Sequence, residues 1–226
     1  MKSATRSAGS PFLRSEQASI PNPTGGFAKR TFDITAALSA LIIFSPIFLL
    51  IMALVKFSDG GSMFYGHRRV GHNGRSFKCL KFRTMVPNGD EVLRQHIQSD
   101  PKAAEEWRAT RKLKDDPRVT TVGSVLRKLS LDELPQLINI IRGDMSVVGP
   151  RPVVDDELGL YETAAIFYLQ TRPGLTGLWQ ISGRNDVSYE TRIAFDTHYV
   201  ENWSFVRDIV IIAKTIPAVC QSRGSY

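Results

Sequence analysis

Two adjacent carboxylates, Asp132 and Glu133, stand inside the stretch SLDELPQLINIIRGDMSVVGPRP, Ser130 to Pro152, followed in the same stretch by Arg142, Gly143, Gly149 and Arg151. Carboxylates, arginines and loop glycines together suit phosphate chemistry. A carboxylate can attack phosphorus or hold a divalent cation, while guanidinium groups and loop amides neutralise the phosphate oxygens that otherwise repel a nucleophile. The same residues also have a bland reading. Ser130 followed three residues later by Glu133 is a capping-box pattern, acids in a first helical turn suit the helix dipole, and Pro135 fits near a helix start. Locally, both readings stand.

The elements that must position these groups come next. Leu134, Leu137, Ile138 and Ile141 recur at helical spacing, which predicts a helix over 130–142 that ends at Gly143. A short helix over 123–128 leads into it, and a short strand over 144–148 leads out toward Gly149-Pro150-Arg151-Pro152. Two prolines flank Arg151 and fix the backbone on either side, a way to hold one guanidinium in one direction for a bidentate phosphate contact. Upstream, 63–70 and 76–84 read as two strands joined by Gly71-His72-Asn73-Gly74, a hairpin signal. Their basic side chains, Lys81 and Arg83 among them, suit a phosphate-binding face and a membrane-facing surface equally. The stretch 90–114 is charged with helical spacing. Further helices are predicted over 155–170, over 188–201, which carries Asp196 and Tyr199, and over 203–219. Between them lie RPGLTG, 172–177, and Ser182-Gly183-Arg184, Gly-rich loops bearing arginine that match neither a P-loop nor a dinucleotide fingerprint.

At 226 residues the chain suits one substantial domain plus an appendage, on the usual ~100–200 residues per domain. Its net charge of +7 favours anionic partners, whether acidic lipid, nucleic acid or phosphorylated small molecules. The aromatics among the basic strands, Phe64, Tyr65, Phe77 and Phe82, form no recognisable nucleic-acid motif, so no nucleic-acid partner is expected. Two cysteines, Cys79 and Cys220, and four dispersed histidines provide neither a disulfide framework nor a metal-ligand spacing, which favours a reduced, cytosolic setting. The first 28 residues lack an early apolar core and read as a disordered tail, not a secretory signal.

From Ile34 to Val55 there are 22 residues without a charge, ~33 Å as a helix and enough to cross a bilayer core. Ser45-Pro46 sits at the middle, where proline removes a backbone hydrogen bond and presses on the carbonyl of Ile42. A kinked span and a hairpin that enters and leaves on one face both fit. Lys29 and Arg30 precede the segment and Lys56, Arg68, Arg69, Arg75, Lys78, Lys81 and Arg83 follow it, so basic flanks place both ends in the cytoplasm and favour the re-entrant form.

These residues resemble the bacterial sugar transferases, small monotopic polyprenyl-phosphate phosphoglycosyl transferases, and in particular those that initiate succinoglycan-type exopolysaccharide with galactosyl phosphate. The resemblance runs from Lys29 to about Thr215. It rests on KRTFD (29–33), Ser45-Pro46, KFRTM (81–85), LDELPQLINIIRGDMSVVGPRP (131–152), RPGLTGLWQISGR (172–184) and FDTHYVENWS (195–204). It implies a helix-rich α+β fold with a disordered tail over 1–28, a re-entrant membrane helix-break-helix over 29–57 and a cytosolic catalytic domain over 58–226. It further implies transfer of a sugar 1-phosphate from a UDP-sugar, UDP-galactose by preference, to undecaprenyl phosphate at the inner membrane, with release of UMP. Asp132 is then the nucleophile of a phosphosugar-aspartyl intermediate, Glu133 its partner, and the two together the magnesium ligands. Lys81, Arg83, Arg142, Arg151, Arg184 and Asp196 bind substrate or phosphate, Ser45 and Pro46 form the membrane break, and a homodimer is possible. Three rivals remain: a glycosyltransferase that releases UDP, a membrane-tethered basic binding protein for lipid-linked phosphates, and a regulatory relative without catalysis.

Overall fold

The computed structural model describes residues 22–110, 112–182 and 187–220. The fold is helix-rich α+β, as expected. Its first element, α1, Gly26–Asp59, runs for 34 residues and is long and apolar enough to cross a membrane. Pro46 lies inside it, and the carbonyl of Ile42 that loses its amide donor to the proline accepts instead from the Ser45 hydroxyl at 2.8 Å. The Ser-Pro pair therefore carries its own repair.

The strands β1, Phe64–Val70, and β2, Ser76–Phe82, pair antiparallel around a one-turn 3-10 helix at His72–Gly74, where Asn73 and Gly74 take the positive φ that the Asn-Gly pair tolerates. Helices α2, Gly89–Ser99, and α3, Pro101–Thr110, form the charged stretch. Then α4, Thr121–Lys128, starts on Thr120, whose hydroxyl accepts from the Gly123 amide at 2.9 Å. A Cβ at Gly123 would meet the Thr84 carbonyl oxygen at 2.1 Å, so glycine lets α4 press on the strand end.

The predicted helix over 130–142 is split. A 3-10 turn, Leu131–Glu133, precedes α5, Gln136–Arg142, with Pro135 at the junction and Gly143 in the left-handed region at the end. Ser130 itself has φ +55° and its side chain caps nothing, so the capping-box reading fails. Two parallel strands, β3, Ser146–Val148, and β4, Gly174–Thr176, follow on either side of the predicted helix over 155–170. That helix is interrupted: α6, Asp155–Gly159, a 3-10 turn at Glu162–Ala164 and α7, Ala165–Leu169, replace it, with Glu162 at φ +46°. Tyr161 and Tyr168 are buried in one cluster with Val70 and Val153, on either side of the interruption. Short α8, Leu178–Ile181, is followed by α9, Tyr189–Glu201, and α10, Phe205–Cys220. The Ser188 hydroxyl caps α9 by accepting from the Thr191 amide.

The base of α1 is tied down by charge. Lys29 Nζ reaches Asp208 Oδ2 at 2.5 Å in a buried pair, and Tyr199 and Trp203 also donate to the Asp208 carboxylate. Asp33 accepts from the Ser146 hydroxyl and the Val147 amide, and Arg30 donates to the last carbonyls of α5. Ala37 is buried with Cys79, Leu137, Ile140 and Met145, while Ile51 and Val55 are buried with Phe82 and Leu126. Both ends of α1 thus pack on the same body. Between them every residue from Ile42 to Ile47 is exposed.

Candidate active site

Asp132 sits in the 3-10 turn before α5, mostly covered, with Glu133 beside it and more open. From the facing strand β2, Lys81 Nζ donates to Asp132 Oδ2 at 3.2 Å and to Glu133 Oε1 at 2.7 Å. The strand and the turn are held in register by Asn139 of α5, which accepts from the Leu80 amide and donates to the Lys78 carbonyl, both at 2.9 Å. A fully buried amide side chain thereby sets where Lys81 meets the acids.

Burial raises the Asp132 carboxyl above its ordinary value, and the adjacent Glu133 charge adds to this; the Lys81 ammonium, by charge and hydrogen bond, and then the Arg127 guanidinium oppose it. On Lys81, burial works against the cation, but Glu133 and Asp132 outweigh it and its pKa is raised. Lys81 is therefore a firm cation between two carboxylates. Arg127 comes from α4, where its Nε donates to the Thr84 hydroxyl at 2.9 Å. Sequence reasoning did not single it out, although the Arg127-Lys128 pair just before SLDE was a visible signal.

Arg151 belongs to a second group. Its loop is anchored from below by the Val70 amide to the Val153 carbonyl at 2.9 Å, by Arg69 on the Pro152 carbonyl, and by Tyr168, whose hydroxyl donates to the Val70 carbonyl and accepts from the Val153 amide. Gly149 and Gly174 cross with no room for a Cβ on either, which draws the loop onto β4. The Arg151 guanidinium lies 5.4 Å from the Trp179 ring centroid, and Arg192 of α9 lies 4.4 Å from the same centroid. Asp196, one turn beyond Arg192, is buried and accepts from the Tyr161 hydroxyl at 2.8 Å. Burial pushes its carboxyl up to about 7, against the Tyr161 hydrogen bond and the Arg192 and Arg151 charges. Trp179 lies in the 172–184 motif without being singled out, and Arg192 and Tyr161 carried no sequence signal, since stacking partners from separate helices have no spacing rule.

The two groups meet at Cys79. Burial pushes this thiol up to about 11, and Lys81, Glu133, Arg69 and Arg151 all act on it electrostatically. Its fellow across the hairpin is His67. Lys81, Asp132, Glu133 and Arg151 are thus brought to one region. Arg83 is not: it pairs with Asp59 at the end of α1. Arg142 is not either, because it ends α5 and lines a separate cavity with Arg75 and Arg172. Arg184 lies outside the described residues.

Among the described residues no three His, Cys, Asp or Glu side chains gather to hold a metal ion. Asp132 and Glu133 nevertheless fit a magnesium ion held by one or two carboxylates and completed by substrate phosphate oxygens and water. What the arrangement can do chemically is bind a phosphorylated substrate between cations and present one buried carboxylate to it.

Residues 24–222 match the family described as Bacterial sugar transferase. The exopolysaccharide production protein ExoY of Rhizobium meliloti (strain 1021) is 74% identical over 226 residues, all of both chains. The undecaprenyl-phosphate galactose phosphotransferase of Salmonella typhimurium (strain LT2) is 50% identical over 210 residues, 93% of this chain and 44% of that one. The UDP-galactose-lipid carrier transferase of Erwinia amylovora is 54% identical over 200 residues, 88% of this chain and 42% of that one. With a family match that spans nearly the whole described fold, and with the Asp132-Glu133 turn, Lys81 and the Arg151 loop inside it, this chain belongs to the bacterial sugar transferases.

Proposed function

We propose that this protein transfers a sugar 1-phosphate, galactose 1-phosphate by preference, from a UDP-sugar to undecaprenyl phosphate, the first membrane step of exopolysaccharide assembly. The observation that carries the reading is the buried Asp132 held with Glu133 under the Lys81 ammonium, beside the apolar helix α1. In the first half-reaction an Asp132 carboxylate oxygen forms a bond to the β-phosphorus as the bond from that phosphorus to the bridging oxygen breaks. UMP leaves with the electron pair. In the second, a phosphate oxygen of the lipid attacks the aspartyl-bound phosphorus, a diphosphate bridge forms, and Asp132 is released as carboxylate.

The chain's own residues supply the electrostatics. Lys81 and Arg127 keep a buried carboxyl ionised enough to attack, and a lysine that touches both acids can turn to the donor phosphate once it enters. Arg151, flanked by its prolines and stacked on Trp179, is oriented for phosphate oxygens. Asp132 and Glu133 would hold magnesium, which offsets diphosphate charge and eases the departure of UMP.

The proposal includes a re-entrant α1 at the inner membrane, with the catalytic residues on the cytoplasmic face. It is supported by the packing of both helix ends on one body with an apolar, fully exposed middle at Ser45-Pro46. Purified protein in lipid nanodiscs, given UDP-galactose labelled in the β-phosphate, is expected to acquire label and release UMP. Asp132→Asn is expected to do neither; turnover at a tenth of the normal rate or more removes Asp132 as nucleophile, and release of UDP in place of UMP removes the reaction class.

A further inference from the structure

Three arginines converge where no reaction step uses them. Arg75, just after the hairpin turn, Arg142, at the end of α5, and Arg172, before β4, line a cavity of about 300 Å³ together with His72 and Asp144. That volume is at the small end of ligand pockets. Among the described residues none of the three arginines makes an ion pair, and Asp144 is occupied by a hydrogen bond from Asn139 at 3.1 Å. Arg172 spends its Nε on the Gly143 carbonyl at 2.8 Å, which closes α5, while Arg75 and Arg142 are exposed at the rim. Three guanidinium groups outnumber the one carboxylate, Asp144, in this lining, so the cavity is net positive and favours an anion.

A second observation points the same way. His72 Nε2 is buried and has no hydrogen-bond partner, on a residue that lines this cavity. A buried polar atom left unsatisfied costs free energy, and a turn of the His72 ring toward the cavity would let a ligand oxygen recover it. The guanidinium fork suits a tetrahedral oxyanion, and the adjoining Gly71–Arg75 turn and Gly143 leave little bulk at the rim.

The cavity is not an extension of the transfer site. Phe77, on its wall, and Lys81 are four residues apart on β2, ~13 Å at strand rise. Asp132 and Arg142 stand at opposite ends of the 3-10 turn and α5. Two phosphates that share a bridging oxygen cannot reach both places. We propose that the Arg75–Arg142–Arg172–His72 cavity is a second, separate site for a phosphate group, supplied either by an anionic lipid headgroup or by a soluble phosphate.

The test is residue-resolved protection of arginine from phenylglyoxal, read by mass spectrometry on the full chain in nanodiscs. Inorganic phosphate added to phosphatidylcholine discs, against sodium chloride at equal ionic strength, probes the soluble source. Phosphatidylglycerol discs against phosphatidylcholine discs probe the lipid source. Modification of Arg75 and Arg142 is expected to slow at least threefold in one arm or both, and the arm identifies the source. Arg142→Gln is expected to abolish the protection of Arg75, and, as both side chains are exposed at the rim, this variant keeps the fold. Equal modification rates in both arms, protection by chloride as strong as by phosphate, or full protection of Arg75 in Arg142→Gln each overturn the proposal. The outcome does not depend on turnover at Asp132.

Discussion

At the scale of single residues, Lys81 and Asp196 show opposite uses of burial. In the proposed mechanism Asp132 must be ionised to attack; burial raises its pKa, and Lys81 is the strongest opposing influence. In Lys81→Met that influence is gone and the Asp132 pKa climbs further, so the acid limb of the kcat/KM profile is expected to move to higher pH, besides any loss of rate. An unmoved acid limb in this variant means that Lys81 does not set the ionisation of the nucleophile. Asp196 lies in a place that disfavours its charge. With its pKa near 7 in the fold and near 3.9 unfolded, it costs roughly 4 kcal/mol of stability once both states are ionised. The sign follows from the raised value: below about pH 4 the carboxyl is neutral in both states and costs nothing, and the loss grows as pH rises to about 7. Asn at this position still accepts from the Tyr161 hydroxyl. Asp196→Asn is therefore expected to raise the unfolding temperature at pH 8 and leave it nearly unchanged at pH 4, in thermal melts of the detergent-solubilised protein; an equal change at both pH values defeats the assignment.

At the scale of elements, motifs that look catalytic in the sequence divide into those that touch the reacting region and those that hold it. Lys29 and Asp33 of KRTFD, with Tyr199 and Asp208 near FDTHYVENWS, bind the base of α1 to α9, α10 and β3. Truncating one partner of a buried pair leaves the other charge unpaired, so Lys29→Met is expected to cost about 3–5 kcal/mol. Chemical denaturation is the measurement; a cost under 1 kcal/mol means water reaches Asp208. The hairpin, α4, α9, α10 and the long apolar helix were legible because periodicity and turn residues report local geometry. The division of 130–142 was not, since Ser130 carries the letters of a capping box on a backbone at positive φ that cannot use them. The break in 155–170 escaped for a different reason: Tyr168 is held by Val70 and Val153, partners remote in sequence. Asp132, Glu133, Lys81 and Arg151, singled out by residue type and order, lie in one region of the fold. Arg142 was misleading, because nearness along the chain becomes opposite ends of a helix once α5 forms.

At the scale of the whole molecule, the proposed reaction requires a water-soluble donor and a membrane-bound acceptor to meet one carboxylate. A covalent intermediate lets them use it in turn, provided the site stays at a fixed height over the bilayer. The packing of α1 supplies that height. Ala37 and Ile51, 14 residues apart and ~21 Å along the helix, are buried in the clusters that hold Cys79 and Phe82, respectively. Leu134, two residues from Asp132, packs against both clusters. Pro46, with the Ser45 hydroxyl taking up the freed Ile42 carbonyl, lies among the exposed apolar residues between the two contacts, inside the continuous helix Gly26–Asp59. The shared contacts of Leu134 link the packing of α1 to the turn that carries Asp132. In right-side-out cell vesicles of a variant without its native cysteines, Ser19→Cys and Ser62→Cys are both expected to resist a membrane-impermeant maleimide until the membrane is opened. Adding Ser45→Ala and Pro46→Leu restores the backbone donor and favours a straight helix, so Ser19→Cys is expected to become labelled from outside and label transfer to Asp132 to fall. Labelling of Ser19→Cys in the parent chain, with its Ser-Pro pair intact, makes α1 a spanning helix and overturns the re-entrant proposal.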